Sequence, residues 1–96
     1  MNTLKIEKAV DNILYLKKII KASKLTPNYK ENELNSFCRY ILTQLNNQAS
    51  LSKISSIIND EFTVNYNLTT NIYNTNRIAT KIFNWWNLKT TYAQAH

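Results

Sequence analysis

Residues able to do chemistry are few in this 96-residue chain, and they are scattered. Its acids are Glu7, Asp11, Glu31, Glu33, Asp60 and Glu61, its one histidine is His96 at the final position, and its one cysteine is Cys38. General acid–base work, metal binding or a nucleophile–base couple all need such groups to converge. The acids instead fall at helix starts or on outer faces, and Asp60 and Glu61, being adjacent, point about 100° apart on a helix. Nothing holds a terminal histidine in place. The chain has no glycine, so a glycine-rich loop cradling phosphates is excluded. A single cysteine excludes an internal disulfide and supplies no metal cluster. Cys38 sits at an apolar helical position and reads as a buried, inert thiol. The expectation is a protein with no catalytic residues, no metal and no cofactor.

Binding chemistry is better represented. Twelve basic residues against six acidic ones give a net charge of +6 and a pI near 9.6. That balance favours polyanionic partners through long-range attraction. Lys17, Lys18, Lys21 and Lys24, with Lys30 beyond them, gather around the first interhelical connection and are the candidate phosphate contacts. Arg77, Lys81 and Asn84, joined by Asn74, Asn76 and Thr80, form the polar face of the last amphipathic segment. Arginine reads guanine and asparagine reads adenine bidentately, so that face suits a nucleic-acid groove. The opposing consideration is compositional. Asn, Lys, Ile and Tyr supply more than four residues in ten, and all four use A- and T-rich codons, so an AT-rich genome yields the same bias without selection for binding.

Trp85 and Trp86 carry a third kind of chemistry. Adjacent helical positions cannot both point into a small core, so the pair is expected to flank the apolar arc with at least one ring partly exposed. They seal the rim of the core or, with Tyr66, form a protein-binding hot spot. Stacking on unpaired bases is another use of the same rings.

The elements that position these residues follow from periodicity. One domain fits this length, and the 44% hydrophobic content argues for a packed core. A first helix is expected over about 4–22, with Thr3 as its cap. Ile6, Ala9, Val10, Ile13, Leu16 and Ile20 face inward, and Lys5, Lys8, Lys17, Lys18 and Lys21 face outward. Thr26 with Pro27, or Asn28 with Glu31, starts a second helix carrying Leu34, Phe37, Cys38, Ile41, Leu42 and Leu45. Ser50 caps a third, shorter helix to about Glu61 with Leu51, Ile54, Ile57 and Ile58 inside.

From Phe62 to Leu68 the chain alternates with period two. Three arrangements are open: an extended segment laid across the helices, an edge that pairs with a second copy in a homodimer, or a continuation of the third helix. The first is the preferred reading, over about 62–70. Thr69, Thr70 or Asn74 then caps a last helix with Ile72, Ile78, Ala79, Ile82, Phe83, Trp85 and Trp86 on its apolar arc. It frays after Leu88 into a flexible tail at 89–96. The expected fold is therefore all-α, a compact four-helix domain.

The order of a hairpin, a short helix and a polar-faced last helix loosely resembles helix-turn-helix domains over roughly residues 34–88. That resemblance implies DNA binding through the last helix. It departs from the pattern at the turn, which is normally about three or four residues but here spans nine, 62–70. The leading expectation is a small, non-enzymatic nucleic-acid-binding protein, DNA before RNA. The alternative is a protein-interaction module, such as a viral or mobile-element inhibitor or a small subunit of an assembly, docking through its aromatic face. No run approaches the roughly 18 apolar residues of a membrane span, and no secretory h-region is visible. A soluble, intracellular protein without membrane association is expected.

Overall fold

Each apolar stripe with period 3.6 becomes a helix in the computed structural model. The backbone is described for residues 3–23, 27–68 and 72–95, and the side chains for 11–23, 27–68 and 74–89. The elements are α1 (Thr3–Ala22), α2 (Glu31–Asn46), α3 (Leu51–Asp60), a π-helical turn (Glu61–Asn65) and α4 (Ile72–Ala95). The fold is all-α with four helices, and no strand occurs among the described residues.

One core unites all the elements. Leu16 and Ile20 of α1, Leu34, Phe37, Cys38, Ile41 and Leu45 of α2, Ile54 and Ile58 of α3, Phe62 of the π-helical turn, and Ile78, Ala79 and Ile82 of α4 are all buried. α1 packs on α2 and α4, and α3 packs most extensively on α4. Small buried residues, Ser55 on α3 with Thr75 and Ala79 on α4, suit a close approach of that last pair. α2 and α3 do not approach each other comparably. The helices therefore follow one another around the core, with a looser join between α2 and α3.

The ends of the helices show how a chain without glycine turns corners. α2 begins at Glu31, later than either expected start, and the Lys30 backbone N–H donates to Glu33 Oε1 at 3.2 Å. At the other end, Gln48 takes a left-handed conformation, φ 64°. Gln48 N–H bonds Leu45 O and Ala49 N–H bonds Gln44 O, both at 3.0 Å. This is a Schellman cap with glutamine where glycine is usual. Ser50 caps α3 as expected, its hydroxyl accepting from Lys53 N–H at 3.1 Å.

Two expectations are corrected here. The extended segment expected over 62–70 does not begin at Phe62, since Glu61–Asn65 continue α3 as a π-helical turn; Thr69 and Thr70 lie outside the described residues. Ile54, Ile58 and Phe62 follow at four-residue intervals and all are fully buried, so core packing carries the helix into the first half of the alternating run, as far as Asn65. The turn closes where Asn67, φ 54°, reverses the chain and Leu68 N–H bonds Phe62 O at 2.9 Å. No strand edge forms at 61–65 for a second copy to extend. The tail expected at 89–96 is helical as far as Ala95, and no glycine or proline stands there to stop it.

Candidate nucleic-acid interface

The sequence places Lys17 among outward-facing lysines, but the structure buries it. Lys17 is 9% exposed, because it lies one turn after Ile13 on the core side of α1. Its ammonium group donates to Glu31 at the first position of α2. That hydrogen bond and charge hold the Glu31 carboxyl below its usual range, with Lys21 adding a weaker pull. Burial pushes the neighbouring Cys38 thiol up to about 12, opposed only in part by the Lys17 charge. Lys17 thus joins α1 to α2 and is not available to a phosphate, and Lys21 lies toward the same carboxylate. Lys24 lies outside the described residues.

Lys18 points elsewhere. Tyr15 of α1 stacks on Trp85 of α4, rings 5.1 Å apart and nearly parallel at 8°. Ile19, Ala22 and Ser23 share a crevice of about 160 Å³ with Asn74, Arg77, Ile78 and Lys81. The later part of α1 thus meets the earlier part of α4, and the two helices run antiparallel. Lys18 is exposed and one turn before Ala22, on the side of α1 that leads into this crevice.

Along α4, Arg77, Lys81, Asn84 and Leu88 recur at four-, three- and four-residue spacing and all are exposed. They form a single strip beside α1. The α1–α4 seam therefore has a cationic end, Lys18 with Arg77 and Lys81, and an aromatic end, Tyr15 with Trp85. No carboxylate lines the crevice. Asp11, the nearest acid along that side of α1, is seven residues before Lys18, about 10 Å away.

The proposed protein-binding residues do not converge. Trp85 and Trp86 are both half-buried, 6.0 Å apart between ring centroids. Trp86 lines a hollow with Leu45, Ala49 and Phe83 at the end of α2. Tyr66 instead packs edge-on to Tyr29, 4.7 Å between centroids, and its hydroxyl donates to Glu33 Oε2 at 3.3 Å. Glu33 and Leu45 stand twelve residues apart on α2, about 18 Å. Tyr66 and Trp86 thus occupy opposite ends of the bundle, and no single surface of Trp85, Trp86 and Tyr66 exists.

Two side chains that sequence reasoning passed over matter most. Tyr15, 49% exposed, supplies the outer ring of the seam; its offset of three from Lys18 was the available signal. Tyr29 donates its hydroxyl to Glu61 Oε2 at 3.0 Å, which ties the start of α2 to the π-helical turn. Burial, and then the Glu61 charge, raise its pKa, so the hydroxyl stays a donor into alkaline solution.

No known family model matches this chain, and no match is found among curated proteins or solved structures. No helix among the described residues is long and apolar enough to cross a membrane. Among the same residues no group of three or more His, Cys, Asp or Glu is placed to hold a metal ion. The surface chemistry of the helices carries the functional reading.

Proposed function

We propose that this chain is a non-enzymatic nucleic-acid-binding protein, DNA before RNA, that works through the α1–α4 seam. Lys18, Arg77 and Lys81 hold phosphates, Asn84 donates to a base or sugar, and the exposed face of Tyr15 stacks an unpaired base. The observation that carries this reading is the adjacency of a crevice lined by cations and free of acids to an exposed aromatic stack. Single-strand binding surfaces combine the same two features. α4 packs against both α1 and α3, and the connection before it, 66–71, is still longer than a helix-turn-helix turn. Both facts favour contact along a strand over insertion of α4 into a major groove.

Fluorescence anisotropy with labelled single-stranded DNA, single-stranded RNA and duplex DNA, across a salt series, tests the proposal. Single strands should bind more tightly than duplex. The Arg77→Gln, Lys81→Gln double variant should lower the slope of log affinity on log salt by about 1.4, two contacts at about 0.7 each. Tyr15→Ala should weaken single-strand binding and leave the slope in place. Absence of binding at low salt, or an equal loss when Lys5 and Lys8 are changed instead, overturns the assignment.

A second reading, a protein-interaction module docking on the aromatic end of the seam, is favoured by the 63% exposure of Leu88 beside Trp85. An inhibitor from a virus or mobile element, or a small subunit of an assembly, fits that reading. In that case Tyr15→Ala would abolish partner binding while the Arg77, Lys81 double variant would not.

A further inference from the structure

A wide groove lies across the core from that seam, where α2 and α3 stand apart. It measures about 780 Å³, and its walls are Glu33, Phe37 and Tyr40 of α2 with Ile57, Asp60, Glu61 and Val64 of α3 and the π-helical turn. We propose that this groove docks a basic amphipathic helix from a partner protein.

Charge is the first argument. Half of the chain's six acids line the groove, and among the described residues no lysine or arginine does. Glu33 accepts from the Lys30 N–H and the Tyr66 hydroxyl, and Glu61 accepts from Tyr29 and Asn65. All four donors are neutral, so both carboxylates are held in place with no ion-pair partner among the described residues. The ion pair among the described residues, Lys17–Glu31, lies elsewhere.

The apolar floor is the second. Phe37 and Ile57 form it, while Val64, 75% exposed, and Tyr40, 49% exposed, form its lips. The π-helical turn is the cause of the Val64 exposure. In a strand, Val64 would share a side with Phe62; in a helical turn, residues two apart point to nearly opposite sides. With Phe62 in the core, Val64 is forced outward. Wide helical turns of this kind recur at functional sites.

Shape selects the ligand. Both walls are helical and offer no free backbone edge, so strand addition is unavailable and a helix laid in the groove is the fitting mode. The lining spans nine residues on each wall, 32–40 and 57–65, about 12 Å. That length takes two apolar anchors three or four residues apart, with lysine or arginine on either side. A second copy is the poorer occupant, because an isologous contact would set these acids against themselves.

The probe is a displayed library of helical peptides of about 16 residues, long enough to hold a helix once docked, selected on the full chain and counter-selected on Val64→Lys. Val64 and Asp60 are both exposed, so their substitution leaves the core alone. The expected binders carry two apolar anchors flanked by basic residues. They should bind Val64→Lys about tenfold more weakly, the scale of losing one anchor, and Asp60→Asn about threefold more weakly with less salt dependence. Single-strand nucleic-acid binding by Val64→Lys should stay at the wild-type level, which separates failure of this site from failure of the seam. Recovery of neutral or acidic binders only, of no binder that discriminates Val64→Lys, or of a dimer that Val64→Lys dissolves, overturns the proposal.

Discussion

The α1–α4 seam and the α2–α3 groove share one core and differ in almost everything else. At the seam two helices meet along a small crevice whose exposed charge is positive. At the groove two helices stand apart, the space is several times larger, and every charged residue lining it is negative. The net charge of +6 describes neither. Along the sequence Lys30 stands beside Glu31, and Lys53 only seven residues before Asp60. Only the fold sorts them, which is why a charge total is a weak guide to a partner and a charge map is a stronger one.

The largest effect is expected from removing what the two regions share. Phe62 is fully buried and anchors the π-helical turn to the core. Phe62→Ala should cost about 3–5 kcal/mol, read by urea or thermal unfolding, and should weaken both sites together. Loss of groove binding alone, with stability intact, would mean that the turn is only locally coupled to the bundle.

A milder change tests why the seam lacks Lys17. The lowered Glu31 carboxyl contributes stability that is complete above the unfolded-state value, about 4.3. It fades as pH falls through the lower folded value. The melting temperature of the wild type should therefore fall more steeply with acidification below about pH 4.5 than that of Glu31→Gln. At neutral pH Glu31→Gln should leave single-strand affinity nearly unchanged, because the cation it releases is buried and away from the crevice. A large gain in affinity would place phosphates at the start of α2 instead.

The smallest effect is a control that should move neither site. Gln48 holds a left-handed conformation that glycine adopts without strain. Gln48→Gly should raise stability by about 0.5–1 kcal/mol in denaturant melts, with both binding profiles superimposable on the wild type. Asn67→Gly should gain less, since asparagine tolerates this region.

Sequence periodicity reached most of the fold, because Leu34 to Leu45 and Ile54 to Ile58 repeat at helical spacing and the core uses those side chains as the pattern implies. It failed at Phe62 to Leu68 because two periodicities coincide there. Phe62 also lies four residues from Ile58, and tertiary packing chose that relation over the alternation. At the candidate seam, Arg77, Lys81 and Asn84 were legible as one helical face. The fate of Lys17 was not, because nothing local says that Glu31 will arrive opposite it. The separation of Tyr66 from the tryptophans was illegible for the same reason: its neighbours Tyr29 and Glu33 are more than thirty residues away in the chain.

The π-helical turn at Glu61–Asn65 also bears on ancestry. A wide turn fits one residue more into a helix than the ordinary winding does, so it marks a site where chain length can change by one without unmaking the fold. Homologues one residue shorter between Ile58 and Asn67 would keep Phe62 in the core, wind on as an ordinary α-helix, and present a different side chain where Val64 now stands. Length at this point, more than identity across the helices, should divide lineages that possess the α2–α3 groove from those that do not.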